Sequence, residues 1–408
     1  MSPTRPTRSQ HTTLKQIGEH IPPHLVAKLG RKHGVQSRDI TPWSHTVAML
    51  EAQLTHAIGL NDVCDNLRNH GGLLSAIRGA KAPSRNGLSH ANRTRPAAMA
   101  EDLFWAVLRH LETIAPGFGG RSYEGFPRRF RRSISVVDST TIALVANCMD
   151  WAKHRRRKAA AKIHMRLNLG SFLPQFAIVD TAKHNDAKRA RELCAGLRQG
   201  EISVFDKAYV DFEHLYDLDE RGVFWVTRAK ENLSLRTVKR HIHKTEGNIL
   251  RDDEVVLAQP ATREKYPKRF RRVVAIVEIN GKEEVMTFIT NNFTWSPRTI
   301  CELYKCRWSI EAFFKQIKQT LQLSCFLGHN RNAIRWQIWT ALLAYVLLRF
   351  LAFVGRWPHS FTRLFTLIRG VLWNRTNVRD LLLMYGTAGG SFRPLWQPLQ
   401  PYLPGLSP

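Results

Sequence analysis

The spacing of apolar residues changes twice along this chain of 408 residues, and the change limits the folds available to it. As far as about residue 115, apolar positions recur with the period of helices, as they do over 44–58. From about residue 133, short apolar runs end at turn residues, which is typical of strands, and from about 297 the helical period returns. The element order in the middle of the chain, β-β-β-α-β-α-β, predicts a mixed α/β sheet.

A division into domains follows from these changes of period. Asn280-Gly281 separates two alternating strands and predicts a tight type I′ hairpin within the β-rich stretch. The predicted division is an all-helical domain at 1–115, an α/β core at 130–227 and 297–384, an inserted β-rich subdomain at 228–296 and a disordered, Gly- and Pro-rich tail at 385–408.

Charge points to a polyanionic partner. The chain has 61 Lys and Arg against 33 Asp and Glu, a formal net charge of +28, and 43% of its residues are hydrophobic. That apolar content excludes a wholly disordered basic protein. Nucleic acid is the simplest partner, and an anionic membrane surface is the alternative. Short helices with basic connectors suit a DNA-binding helix-turn-helix module, although a generic helical cap fits the pattern equally well.

The compartment is predicted from cysteine use and from apolar runs. The six Cys are scattered without a CxxC pair, which favours reduced thiols in a cytosolic chain. The first residues contain no apolar segment, so no signal peptide is expected. The apolar stretch 336–355 is interrupted by Arg349, short of the ~20 apolar residues of a membrane span, and a buried helix is predicted there.

A predicted helix over 298–323 carries the most informative polar pattern. Tyr304, Arg307, Glu311, Lys315 and Lys318 follow one another at steps of three or four residues, so one helix face would present all five. The ordinary interpretation is a solvated face with i,i+4 ion pairs of ~0.3–0.5 kcal/mol each. Three cations against one acid favour an external anion instead.

Asp138 and Asp206 each follow an apolar run that is predicted to be a strand. Carboxylates at the ends of strands lie where α/β proteins commonly build their sites. With Glu311 they would supply the oxygen ligands that Mg²⁺ prefers, and two ions ~3.5–4 Å apart could activate a nucleophile and stabilise a leaving oxygen. Each Asp alone is a weak signal, because Asp is also a common turn residue.

The motifs together resemble a known family. The spacing Tyr304-x₂-Arg307-x₃-Glu311-x₆-Lys318 matches the Tyr-Arg-Glu-Lys signature of bacterial DDE transposases of the insertion-sequence-four family. The stretches VVDST, VFDKAYVDFEHLYDLDERGVFWVTRAK and YKCRWSIEAFFKQIK are similar to the three catalytic blocks of that family. The resemblance covers roughly residues 133–323, and the helical N-terminal region is similar to the family's end-recognition domain.

The resemblance implies a ribonuclease-H-like catalytic core with an inserted β-rich subdomain, preceded by a helical DNA-binding domain. It implies that Asp138, Asp206 and Glu311 bind two Mg²⁺ ions, with Mn²⁺ as a substitute. Transposon-end phosphates would be contacted by Tyr304, Arg307, Lys315 and Lys318. The implied activity is cut-and-paste transposition of double-stranded DNA through hairpin ends, by a synaptic homodimer acting in the bacterial cytoplasm at the nucleoid and not at a membrane.

Two rival functions remain at the level of sequence. One is a ribonuclease-H-like nuclease that cuts DNA but cannot join it, and the other is a basic DNA-binding protein without catalysis. The absence of a GxxxxGK[ST] run excludes a P-loop nucleotide site. Ala208 stands where the family often has Gly, Trp295 has no assigned role, and His184, His241 and His243 have no spacing that completes a metal site.

Overall fold

A computed structural model describes residues 6–37, 39–120, 126–144, 153–155, 158–181, 186–241, 247–279, 281–321 and 326–385. Contacts divide the chain into two compact units. A helical unit contains the N-terminal segment up to Gly119 and the C-terminal segment from Phe314, with residues 142–161. A sheet unit contains Gly120–Thr141 and Lys162–Phe313. The predicted tail lies outside the described residues, apart from Tyr385.

The secondary structure alternates along the chain as helices, strands and helices again. The described helices are α1 Thr13–Glu19, α2 Leu25–Lys32, α3 Pro42–Thr55, α4 Leu60–Asn69, α5 Gly71–Ser75, α6 Arg85–Thr94, α7 Ala97–Ile114, α8 Asp186–Cys194, α9 Phe212–Glu220, α10 Pro260–Lys265, α11 Pro297–Lys305, α12 Trp308–Thr320, α13 Arg331–Val354, α14 Phe361–Gly370 and α15 Val378–Met384. The described strands are β1 Ile134–Leu144, β2 Lys153–Arg155, β3 Lys158–Asn168, β4 Pro174–Thr181, β5 Ile202–Phe205, β6 Phe224–Arg228, β7 Leu235–Arg240, β8 Ile249–Leu257, β9 Phe270–Ile279 and β10 Lys282–Thr290.

Helix α13 supplies the core of the helical unit. It begins at the N-cap Asn330, whose side chain accepts a hydrogen bond from the backbone of Ala333. The Trp339 ring lies 5.4 Å from Phe104 and 6.1 Å from Trp105 on α7, measured between ring centroids. The N-terminal helices therefore bury their apolar faces against a helix from the C-terminal part of the chain, which the sequence assigns to the catalytic core.

The same helix has the length and composition of a membrane span. Among the described residues it is the one helix that meets this test, and 89% of its most apolar segment is buried inside the protein. The sequence prediction of a buried helix is confirmed.

A mixed sheet organises the second unit. Its strands run in the order β3-β1-β5-β6-β10-β9-β8-β7, with β4 paired to β3, and β2 pairs with the first residues of β3. β1, β5 and β6 are parallel, whereas β6, β10, β9, β8 and β7 are antiparallel in turn. The predicted mixed α/β sheet is confirmed, and the strands of the β-rich stretch continue the same sheet.

The predicted hairpin is present. β9 and β10 pair antiparallel with Ile279 opposite Lys282, which leaves a two-residue connection. Gly281 has φ +76°, a conformation that a type I′ turn requires and that glycine adopts without a steric penalty. Asn280 lies outside the described residues.

The single helix predicted over 298–323 is wrong, because the chain forms two helices, α11 and α12. Between them Arg307, Ser309 and Ile310 donate backbone hydrogen bonds three residues back, to Tyr304, Cys306 and Arg307 respectively. These bonds tighten the chain into a turn and interrupt the regular i→i−4 pattern. The break changes the direction of the chain at Arg307, in the middle of the polar pattern.

Candidate active site

Adjacent parallel strands bring Asp138 and Asp206 to the same level of the sheet. The pairing of β1 with β5 ends at Val137 opposite Phe205, and each aspartate is the next residue along its strand. Asp138 does not end its strand as predicted, because β1 continues to Leu144 beside β3. Asp206 does end β5, and its carboxylate accepts a 2.9 Å hydrogen bond from the backbone of Ala208 and so caps a short 3₁₀ turn. A backbone donor is sufficient there, so glycine is not required at position 208.

Arg307 joins both aspartates to Glu311. Its Nη1 donates to Asp138 Oδ2 at 2.8 Å and to Glu311 Oε1 at 2.6 Å. Its Nε lies 4.0 Å from Asp206 Oδ2. Three carboxylates from two strands and a helix, far apart in sequence, therefore converge on one guanidinium group.

Burial controls the electrostatics of this cluster. The side chain of Asp138 is 13% exposed, that of Asp206 29% and that of Glu311 54%. Burial raises the pKa of Asp138 to about 6; the other two acids add to the rise, while Arg307 and the Ser139 backbone N–H oppose it. Burial by itself would lower the pKa of Arg307, but Tyr304 and the acids outweigh it and raise that pKa. The cluster is poor in solvent and rich in negative charge.

The other residues of the predicted stripe have different surroundings. Tyr304 is buried, its ring 5.1 Å from Phe288, and the Arg307 guanidinium lies 5.6 Å from the ring centroid. Lys315, which is exposed, and Lys318, which is half-buried, follow Glu311 on α12. Burial lowers the pKa of Lys318. The structure thus brings Tyr304, Arg307 and the acids together, while the two lysines occupy later positions of the same helix.

The donor chemistry of the cluster fits a hard divalent cation. All three acids present oxygen atoms, which Mg²⁺ and Mn²⁺ prefer, and none presents sulfur or imidazole nitrogen. As placed, no group of three His, Cys, Asp or Glu among the described residues is close enough to hold a metal ion directly. The Arg307 guanidinium lies between the acids, so a cation would have to displace it.

Comparison with known proteins decides the family. Residues 129–347, more than half of the chain, match the model of the transposase DDE domain. The chain is also 31% identical over 300 residues to y4zB of Sinorhizobium fredii, which is named as a transposase, covering 73% of this chain and 80% of that protein. This chain belongs to the DDE transposases of the IS4 family.

Further similarities agree with this membership. The transposase is 23% identical to InsG, the transposase of insertion sequence element IS4 in Escherichia coli, over 49% of this chain and 47% of InsG. The solved piggyBac transposase synaptic complex with hairpin DNA covers 92% of this chain at 9% identity and a TM-score of 0.44, which is too low to establish a shared fold. Residues 9–77 match a domain of unknown function. The transposase is an enzyme that acts on DNA, and its family uses divalent metal ions.

A basic cavity, which was not predicted from the sequence, adjoins the acids of the transposase. It has a volume of about 450 Å³ and is lined by Arg228, Lys230, Arg251 and Arg272, with Leu and Val side chains between them. Arg228 is the residue of β6 that follows Thr227, just as Asp206 follows the paired Phe205. The cavity also contains Glu231, whose carboxylate pairs with Lys207 at 2.9 Å. The run of basic residues after β6 was the available sequence signal.

The remaining sequence candidates lie elsewhere. Trp295 is half-buried, with its ring 5.3 Å from Phe224 and 5.6 Å from Phe130, so its faces are occupied by the protein. His241 pairs with Glu254 at 3.2 Å. His184 and His243 lie outside the described residues.

Proposed function

We propose that this transposase moves its insertion sequence by metal-dependent cut-and-paste transposition, with Asp138, Asp206 and Glu311 as the acids that hold two Mg²⁺ ions. Mn²⁺ would substitute for Mg²⁺. The observation that supports this most is the approach of all three carboxylates to the single guanidinium of Arg307. Divalent cations, when bound there, supply the positive charge that a phosphodiester needs to accept a nucleophile.

The proposed reactions exchange one phosphorus–oxygen bond for another at every step. Water cleaves one strand at the transposon end and releases a 3′-hydroxyl. That hydroxyl attacks the opposite strand, which forms a hairpin and frees the flanking DNA, and a second water reopens the hairpin. The 3′-hydroxyl then attacks the target phosphodiester, and in each step the proton of the nucleophile passes to the leaving oxygen through solvent.

The protein's own residues position the DNA in this proposal. Double-stranded transposon ends and target DNA are the substrates, and the strand beside the cut lies against the basic cavity that contains Arg228 and Arg251. Tyr304, Arg307, Lys315 and Lys318 contact phosphates near the cut, and Arg307 leaves the acids when the cations bind. The sheet would be the ribonuclease-H-like core, with 228–296 as its insert and the helices of 1–115 for end recognition.

Two further parts of the proposal concern assembly and location. The active species is a synaptic homodimer in which each protomer cuts the end that its partner mainly holds. It acts at the bacterial nucleoid, where its substrate is found.

Cleavage of DNA in Mg²⁺ tests the assignment. We expect Asp138→Asn, Asp206→Asn and Glu311→Gln each to abolish cutting of a transposon-end duplex while the Kd for that duplex is unchanged. Asp219→Asn is the matched control, because Asp219 lies in the same unit and contacts none of the acids. Normal cutting by all three variants would overturn the assignment. Hairpin ends and strand transfer into a target plasmid distinguish a transposase from a nuclease that cannot join.

A further inference from the structure

A buried polar cluster lies beside the first two acids of the proposed triad. It consists of Ser139, Lys162, His164, Asp186 and Tyr209, which we call the Asp186 cluster. Asp186 Oδ1 lies 2.5 Å from Lys162 Nζ, 3.4 Å from His164 Nδ1 and 3.3 Å from Ser139 Oγ, which donates to it. The Tyr209 hydroxyl lies 3.0 Å from the same His164 nitrogen. Strands β1 and β3, helix α8 and the turn after β5 meet in this cluster.

The cluster is buried and charged. His164 is fully buried and Tyr209 is 1% exposed, and the side chains of Lys162 and Asp186 are 16% and 15% exposed. Burial lowers the pKa of His164 to about 4, so the charge of Asp186 is balanced by Lys162. His164 Nε2 is buried without a hydrogen-bond partner among the described residues. A buried ion pair is weak evidence of a contribution to stability, so the arrangement calls for another explanation.

Each end of the cluster connects to one of the acids. The backbone N–H of Ser139 donates to Asp138 Oδ1 at 2.7 Å, while the Ser139 hydroxyl binds Asp186. On the other side, Asp206 caps the turn Lys207–Tyr209, and that turn carries Tyr209 to His164. Asp138 and Asp206 are therefore fixed by the same group of buried hydrogen bonds.

Helix capping accounts for only part of this arrangement. Asp186 is the first residue of α8, where a carboxylate is favourable because of the helix dipole. That role requires neither a lysine nor a tyrosine from other elements. It also does not explain why Ser139, the neighbour of Asp138, is one of the donors.

We propose that Asp186 is a positioning residue, which holds Asp138 and Asp206 at the separation and orientation needed to bind a divalent cation together. The inference rests on the proposed function, because it concerns the same metal site. Groups that orient metal ligands by hydrogen bonding typically contribute 10- to 100-fold to metal affinity, and buried networks of this kind restrict the conformations of their members.

Mn²⁺ binding to the full chain, followed by electron paramagnetic resonance of the free ion, tests the proposal without a catalytic assay. We expect Asp186→Asn to weaken Mn²⁺ binding by about 10- to 100-fold. Asp219→Asn is the matched control: Asp219 also pairs with a lysine, Lys268, and accepts from a tyrosine hydroxyl, Tyr266, with a side chain 19% exposed. Its loss should leave the Mn²⁺ affinity unchanged.

Two milder changes guard against loss of folding. Tyr209→Phe removes only the hydroxyl that meets His164 and should weaken Mn²⁺ binding at least threefold. Ser139→Ala should weaken it similarly, and Ser139→Thr, which keeps the hydroxyl, should restore it. These substitutions decide the question if Asp186→Asn does not fold.

The possible failures are distinguishable. Equal Mn²⁺ affinity in the wild type, Tyr209→Phe and Ser139→Ala would overturn the positioning role and leave the proposed function intact. A wild-type chain that binds no Mn²⁺, or one that still binds it after Asp138→Asn and Asp206→Asn together, would overturn the metal site itself and the inference with it.

Discussion

Glu51 is a carboxyl group without exposed surface in helix α3 of the helical unit. Burial raises its pKa from 4.5 to about 7, and the hydrogen bond that it accepts from Asn66 opposes the rise. The folded chain therefore keeps a proton on Glu51 that the unfolded chain loses between pH 4.5 and 7. Stability falls as the pH rises through that window.

Replacing Glu51 removes this pH dependence. We expect Glu51→Gln to be more stable than the wild type at pH 8 by on the order of 2 kcal/mol, relative to the difference at pH 4, because glutamine has no proton to lose. Urea unfolding at the two pH values measures the effect. Glu264→Gln, at an exposed position of α10, should change stability equally at both. A pH-independent effect of Glu51→Gln would contradict the prediction.

Arg307 is the counter-ion of three acids, so its loss should be costly in the absence of divalent cations. We expect Arg307→Gln to lose about 3 kcal/mol of stability in EDTA, since removal of one partner leaves charge uncompensated in a buried place. Millimolar Mn²⁺ should restore most of that loss. Thermal unfolding in EDTA and in Mn²⁺ measures both effects.

Arg298→Gln is the control for this comparison. Arg298 pairs with Glu302 at 3.3 Å, also at i,i+4, but its side chain is 64% exposed. Its replacement should cost less than about 0.5 kcal/mol, with or without the cation. If Mn²⁺ stabilised both variants equally, Arg307 would not compete with a cation for the acids.

Helix α12 carries cations beyond its acid at the scale of one element. Lys315 and Lys318 follow Glu311 by four and seven residues, so the helix presents positive charge after its first turn. We expect Lys315→Ala and Lys318→Ala each to lower the slope of log K against log salt for DNA binding by about one, with little dependence on sequence.

The control lysine lies in a different element. Lys282 is exposed at the start of β10, and Lys282→Ala should leave the salt slope unchanged. Fluorescence anisotropy over a range of salt concentrations gives all three slopes. Unchanged slopes in both α12 variants would remove these lysines from the DNA interface.

The helical unit is formed by both ends of the chain at the scale of the whole molecule. Trp336 and Trp339 of α13 are buried against α3 and α7, so residues 6–120 alone would expose the faces that cover them. We expect this fragment by itself to lack a cooperative thermal transition. Co-expression with residues 326–385 should restore the transition and its near-ultraviolet circular dichroism. A cooperative transition of the isolated fragment would contradict the prediction.

Local patterns predicted much of the fold. The Asn280-Gly281 pair predicted the β9–β10 hairpin, since a two-residue type I′ turn requires positive φ and few residues allow it. The apolar run around Trp339 predicted a buried helix for a similar reason, because its side chains leave no polar face. The break at Arg307 escaped prediction, because the spacing of the polar residues continues across it unchanged.

The sequence by itself determined the candidate acids and their family, because the types and spacing of Asp138, Asp206, Glu311 and their neighbours are properties of the chain. Only the tertiary structure decided how these groups meet: parallel pairing sets the aspartates side by side, and the turn before α12 inserts Arg307 among them. It also decided that Asp186 joins Ser139 and Lys162, and that α13 completes the N-terminal helices. Such contacts depend on which distant segments pack together, and local spacing contains no record of that.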